Sequence, residues 1–180
     1  SDGSIWFEDT ILFSDILKPA NTEVESVKNT LITILKEASL LNSDFLTHSE
    51  GYKITTELTF PRNWGLGTSS TLINNIAQWL QIDAFVLLKN SFGGSGYDIA
   101  CAQNDTPILY HLQRGKPMVE KVDFLPSCTT NIHFVYLNKK QNSKTAIAAY
   151  KRNNKNNLSQ VITSNNQTTS EVLEAKTIQA

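Results

Sequence analysis

The sequence predicts an α+β domain with mainly antiparallel strands and helices that cover one face of the sheet. Apolar residues recur at intervals of three and four over residues 24–41, which is the spacing of a helix with one buried face. Apolar and polar residues alternate over residues 52–60, as in a strand with one wetter face. Residues 107–112 and 118–122 flank a short turn and predict a β-hairpin.

The first elements follow from β-propensity and from capping residues. Residues 5–17 mix β-favouring with acidic side chains and predict one or two strands. The helix that covers residues 24–41 has Asn21 or Thr22 as its predicted cap. The alternating strand over residues 52–60 then leads to Pro61.

The middle of the chain alternates between glycine turns and helices. The helix that follows the first turn has Ile73 and Ile76 on its apolar side and Asn74 on its polar side. Residues 83–89 predict a second, more apolar helix. Beyond the hairpin, residues 131–137 predict another strand, and the pattern becomes helical from Thr145. We therefore expect two domains, residues 1–140 and residues 141–180.

The composition and charge of the chain limit the classes of partner that we expect it to bind. The chain has 180 residues, of which 40% are hydrophobic and 18% charged, as in a globular protein. A net charge of −1 gives no reason to expect nucleic acid or an anionic membrane as a partner. No apolar run approaches the ~20 residues that cross a bilayer, and no signal pattern opens the chain, so we expect a cytoplasmic protein. Cys101 and Cys128 lie far apart and predict neither a zinc site nor a disulfide framework.

Two glycine turns carry the candidate chemistry. In the first, Gly65 and Gly67 precede three hydroxyl residues where a helix should begin. The N-terminus of a helix presents free N–H donors and about +0.5 of an elementary charge, which favours phosphate. In the second, three glycines among residues 93–96 precede Asp98, and small residues follow. The first turn lacks the lysine of a Walker P-loop and the third glycine of a dinucleotide fingerprint.

Both turns resemble signatures of the GHMP kinases, the superfamily named for galactokinase, homoserine kinase, mevalonate kinase and phosphomevalonate kinase. The second signature of that superfamily is Pro-x-Gly-x-Gly-Leu-Gly-Ser-Ser-Ala. The residues that match it in place are Pro61, Gly65, Leu66, Gly67 and Ser69, with Thr68 replacing a serine. Residues 94–98 resemble the downstream Ser-Gly-x-Asp stretch of the same superfamily. Residues 96–100, Gly-Tyr-Asp-Ile-Ala, are similar to the motif of a mevalonate kinase-like subgroup.

The resemblance implies a first domain of the ribosomal protein S5 domain 2 type and ATP-dependent phosphorylation of a small-molecule alcohol. It implies ATP and Mg²⁺ as cofactors. We expect a monomer or homodimer and, from the charge and the lack of a long apolar run, neither nucleic acid nor a membrane as a partner. Ser69 would contact Mg²⁺, and Asp98 would take the proton of the acceptor hydroxyl. The residues that would surround the phosphates are Gly65, Leu66, Gly67, Thr68, Ser69 and Ser70.

The chain also departs from the superfamily pattern. Asn63 replaces a glycine of the signature, and no acidic residue lies between Ala84 and Tyr97, where mevalonate kinases have a metal-binding glutamate. The first and third signatures are missing, so we expect the first domain to lack its first strands and the second to be truncated. Two alternatives remain open: a degenerate relative that binds a nucleotide or a partner without catalysis, and an ATP-dependent decarboxylase.

Overall fold

The computed structural model describes residues 4–18, 26–61, 64–136, 143–153 and 157–175. Within these ranges the chain is α+β, with helices and one two-stranded antiparallel sheet. The α-helices are α1 (Phe13–Leu17), α2 (Val27–Leu41), α3 (Thr68–Leu80), α4 (Ala84–Ser91), α5 (Tyr97–Ala102), α6 (Ser143–Asn153) and α7 (Leu158–Glu174). The strands are β1 (Ile108–Gln113) and β2 (Lys116–Lys121), and short 3-10 turns cover Ser43–Leu46 and Thr129–Asn131.

The core lies between helices. α2 packs on α1, α3 and α4, while α3 also packs on α4 and α5. Each fully buried Ile or Leu stabilises the fold by about 1.5–3 kcal/mol relative to an exposed one. The buried apolar residues are Ile16, Ile34, Leu35, Ala38, Phe45, Ile73, Ile76, Ala77, Leu80, Ala84, Leu87, Leu88 and Ile99.

Side-chain caps set the start of two core helices. The hydroxyl of Ser26 accepts from the amide of Asn29 at 3.1 Å and so opens α2. The predicted caps of this helix, Asn21 and Thr22, lie outside the described residues. Asp83 accepts from the amides of Phe85 and Val86 at 2.8 and 3.1 Å, so α4 begins where the sequence predicts it.

The predicted hairpin is confirmed. β1 and β2 pair antiparallel, and Gln113 faces Lys116 across a loop of two residues. Both loop residues, Arg114 and Gly115, have positive φ values of 52° and 77°. Two such residues match the right-handed twist of the strands that they join.

The strand predictions for residues 5–17, 52–60 and 131–136 are wrong. Residues 5–12 have no regular secondary structure. Residues 13–17 form α1, because Ile16 turns inward and packs on α2 with only 2% of its surface exposed. Residues 52–60 and 132–136 have no regular secondary structure. A strand needs a neighbour for its backbone hydrogen bonds, and in the described chain only β1 and β2 pair with each other. As a result, the helices pack mainly on one another and cover no broad sheet.

Candidate functional site

The first glycine turn, residues 65–67, opens α3. Gly65 and Gly67 have φ values of +73° and +71°, which are accessible to glycine without steric cost. The carbonyl of Gly67 accepts from the amide and the hydroxyl of Thr71 at 3.0 and 3.1 Å. Gly67 has no side chain that could cap the helix, so no side-chain cap bond is made to its first amides. The N-terminus of α3 therefore keeps N–H donors for a ligand or for water.

The second glycine turn, residues 93–96, opens α5 in the same way. Gly93, Gly94 and Gly96 all have positive φ, at 74°, 117° and 84°. Gly96 is buried at the N-cap of α5, and Asp98 lies exposed in the first turn of that helix. A carboxylate at this position interacts favourably with the helix dipole.

The two turns meet at Gly67 and Asp98. A Cβ atom built on Gly67 would lie 3.2 Å from Cγ of Asp98 and 3.4 Å from its Oδ1 atom. A side chain at position 67 would push the carboxyl group away by a few tenths of an ångström, so glycine favours this close approach to the start of α3. The structure thus brings together one residue from each of the two stretches that the sequence analysis selected.

The other predicted site residues line the start of α3. Leu66 and Ser69 are exposed, whereas Thr68 and Ser70 are half-buried. Gly65 lies at the exposed outer end of the turn. The Ser69 hydroxyl is therefore accessible to a ligand.

A buried hydrogen bond joins the two helices behind the turns. Asn74 is 3% exposed, and its Oδ1 atom accepts from Nε2 of Gln103 at 3.0 Å. The prediction that Asn74 lies on the polar side of α3 is wrong, because α5 packs against that side. A buried amide costs free energy unless it is paired, so this bond fixes how α3 and α5 lie together. No sequence pattern links these two residues.

Tyr110 is a second residue that the sequence analysis missed. It lies on β1, and its hydroxyl donates to the carbonyl oxygen of Ser95 inside the second glycine turn. Burial raises the pKa of Tyr110, so the hydroxyl stays protonated and able to donate at neutral pH. Its ring meets that of Tyr97 edge to face, with centroids 5.8 Å apart. Tyr110 lies 15 residues after Ser95 in the chain, and no sequence motif links the two residues.

Trp64 lies just before the first glycine turn. Its side chain is 52% exposed, and its ring centroid lies 6.4 Å from that of Tyr136. The amide of Trp64 donates to the carbonyl of Pro61 at 3.1 Å. A pair of aromatic side chains thus lies beside the residue that precedes the first glycine turn.

Comparison with known proteins adds no family assignment. No protein-family model, curated protein or solved structure matches this chain. Within the described ranges, no three His, Cys, Asp or Glu side chains are grouped so that they could hold a metal ion. None of the helices described has both the length and the apolar character of a membrane span. The geometry of the two turns is therefore the basis for a functional proposal.

Proposed function

We propose that this chain carries the phosphate-binding and proton-accepting groups of an ATP-dependent small-molecule kinase of the GHMP type. The supporting observation is the approach of Asp98 to Gly67, where a carboxylate lies beside a helix N-terminus that keeps free amides. Phosphoryl transfer requires these two elements side by side, because the acceptor hydroxyl must be held next to the γ-phosphate.

The start of α3 is the proposed phosphate site. The amides of Thr68, Ser69 and Ser70 point out of the helix end, and the dipole of this 13-residue helix favours negative charge there. Gly67 has a positive φ and no side chain, so it leaves room at this helix end, and the Asp98 carboxyl group lies beside it. Loss of that conformation should weaken nucleotide binding.

Asp98 is the proposed base. Its carboxylate takes the proton of an alcohol whose oxygen attacks the γ-phosphorus of ATP. A new oxygen–phosphorus bond forms, the bond between the γ-phosphorus and the β–γ bridging oxygen breaks, and ADP leaves. The acceptor must therefore lie on the same side of α3 as the second glycine turn.

Mg²⁺ suits the donors present. The exposed Ser69 hydroxyl is a hard oxygen ligand, and Mg²⁺ typically takes one or two protein oxygens together with substrate phosphates. A bound ion would neutralise charge on the phosphates. A nucleotide-binding protein without transfer activity is the second candidate, because no acidic residue lies between Ala84 and Tyr97 to add a further ligand. An ATP-dependent decarboxylase is the third.

The decisive experiment measures ADP release. The full-length protein is incubated with ATP, Mg²⁺ and a panel of alcohols that includes mevalonate, phosphomevalonate, homoserine and sugars. Asp98→Asn keeps the side-chain shape and removes the base, so it should lower the rate by about 10²–10⁴-fold. ADP release no faster than this control with every alcohol would rule out the kinase. Release of CO₂ with ADP would identify the decarboxylase.

Calorimetry with ATP separates binding from transfer. Gly67→Ala should weaken ATP binding, because the new methyl group meets Asp98 and the residue must leave its left-handed conformation. Gly51→Ala is the matched control, since its new methyl group meets nothing within 4 Å. Binding without ADP release supports the second candidate. No heat with the wild-type protein removes nucleotide binding altogether.

A further inference from the structure

The second glycine turn is held from two sides. A Cβ atom on Gly96 would lie 3.0 Å from Cδ1 of Phe85 on α4 and 3.0 Å from the hydroxyl oxygen of Tyr110 on β1. Tyr110 also restrains the turn through a hydrogen bond, because its hydroxyl donates to the carbonyl of Ser95. The turn thus lies between a ring of α4 and the hydroxyl of a hairpin residue.

Backbone hydrogen bonds hold the two ends of this turn: the amide of Gly93 donates to the carbonyl of Leu88 at 2.7 Å, and the carbonyl of Gly96 accepts from the amide of Ala100 at 3.0 Å. Three of its four residues are glycines with positive φ, and glycine has the largest conformational freedom to lose on folding. The local side-chain bond is that of the Tyr97 amide to the hydroxyl of Ser95, at 3.3 Å. A hydrogen bond from a separate element therefore has a large effect on which conformation the turn adopts.

Asp98 lies just after this turn in the chain. It lies two residues after Gly96, in a helix of only 6 residues that packs on both α3 and β1. The bond between Gln103 and Asn74 ties the far end of α5 to α3, so a change in the turn acts on the first residues of α5 and there moves the exposed Asp98 carboxyl group relative to Gly67.

We propose that Tyr110 is a positioning residue, whose hydroxyl sets the second glycine turn so that the Asp98 carboxylate lies against Gly67. Its catalytic consequence rests on the proposed kinase function, whereas its structural consequence does not. Tyr110 touches neither substrate nor phosphate in this scheme and acts only through the carbonyl of Ser95.

Tyr110→Phe is the direct test, because it removes the hydroxyl and keeps the ring. Tyr97→Phe is the matched control, since it removes the neighbouring hydroxyl of the same aromatic pair. In the full chain, NMR should show a nuclear Overhauser effect between the Hα protons of Gly67 and the Hβ protons of Asp98. We expect it to weaken several-fold in Tyr110→Phe and to stay unchanged in Tyr97→Phe. An unchanged effect in Tyr110→Phe, or equal weakening in both variants, overturns the proposal.

A measurement on the wild-type protein covers the case in which Tyr110→Phe does not fold. The ring Hε protons of Tyr110 should show a nuclear Overhauser effect to the Hα protons of Gly96, since the hydroxyl oxygen lies 3.0 Å from the place of a Cβ atom on Gly96. Absence of that effect overturns the proposal.

Kinetics of the full-length protein separate positioning from simple destabilisation. Tyr110→Phe should lower kcat by about 10-fold to 100-fold, the range that a displacement of about 1 Å can cause, while KM for ATP changes less than about twofold. Equal loss in kcat and KM would indicate general damage and contradict positioning. If the wild-type protein releases no ADP but the NMR pattern is as expected, the kinase proposal fails and the positioning role stands.

Discussion

α3 and α7 are both helices, but they have very different surroundings. α3 has 13 residues and buries Ile73, Ile76, Ala77 and Leu80 between neighbouring helices. α7 has 17 residues and buries none; Ile162 and Val172 are about half exposed, at 49% and 50%. Periodicity therefore predicts that a helix forms, and only the neighbouring elements decide how much it adds to stability.

The polar bonds of α7 are local. Nε2 of Gln167 donates to Glu171 at 2.9 Å, and the hydroxyls of Thr169 and Ser170 donate to carbonyls four residues earlier, at 2.8 and 3.1 Å. A side-chain pair such as Gln167 and Glu171 contributes only about 0.2–0.5 kcal/mol to a helix. Hydroxyl bonds to carbonyls four residues earlier do not stabilise a helix. Substitutions in the two helices should therefore differ most where α3 is buried.

Replacement of matched isoleucines should give the largest difference. Ile73 is 0% exposed and Ile162 is 49% exposed. Ile73→Ala should lower the free energy of unfolding by about 2–5 kcal/mol, because it leaves a cavity between helices. Ile162→Ala should change it by less than about 0.5 kcal/mol. Urea titrations followed by circular dichroism measure both, and equal losses would contradict the comparison.

Helix caps should give the next largest difference. Asp83 binds two amides at the start of α4, whereas Asn157 at the start of α7 makes no side-chain cap bond. Asp83→Ala should cost about 1 kcal/mol, and Asn157→Ala should cost much less. Thermal unfolding of the two variants compares them directly. A larger loss in Asn157→Ala would show that α7 depends on its cap and α4 does not.

The C-terminal ends of the two helices allow a smaller test in the opposite direction. The C-cap residue of α3 is Gln81, with φ +54° in the left-handed region, whereas that of α7 is Ala175, with φ −67°. Gln81→Gly should stabilise the protein by about 0.5–1 kcal/mol, because glycine adopts this conformation without strain. Ala175→Gly should bring no gain. Denaturant midpoints that move together in the two variants would disprove this difference.

The smallest effect concerns an ion pair at the edge of the core. Nζ of Lys28 on α2 lies 2.9 Å from Oδ1 of Asp9, and this hydrogen bond lowers the pKa of Asp9 below 3.8. The pair therefore contributes its full stabilisation above the pKa of Asp9 in the unfolded chain. This contribution is lost as the pH falls through the pKa of Asp9 in the folded state. In an NMR titration, Lys28→Met should raise the titration midpoint of Asp9. An unchanged midpoint would show that Lys28 does not set it.

Local signals explain what the sequence predicts correctly. Asp83 marks the start of α4, the apolar stripe marks α3, and Arg114-Gly115 lies at the tip of the predicted hairpin. Each of these depends on residues close together in the chain. Alternation over residues 52–60 predicts a strand only if another strand pairs with it, and the described chain places none there.

The candidate site also has local features that the sequence predicts and long-range contacts that it does not. Glycines predict the two turns, because their positive φ values are a local property. The Asn74–Gln103 bond and the bond from Tyr110 to Ser95 join residues far apart in the chain. They depend on how helices and hairpin pack, and no periodicity or spacing encodes them. The sequence therefore predicts where the turns lie, whereas the hydrogen bonds that fix their relative position require the structure.

The close approach of Asp98 to Gly67 also couples two positions of the chain. Asn tolerates left-handed backbone better than other residues with a side chain, but its Cβ atom at position 67 would lie 3.2 Å from Cγ of Asp98. Because Asp98 is exposed, its carboxyl group can move away by the few tenths of an ångström that this contact requires. A substitution at position 67 should therefore show its effect at position 98, as a shifted carboxyl group.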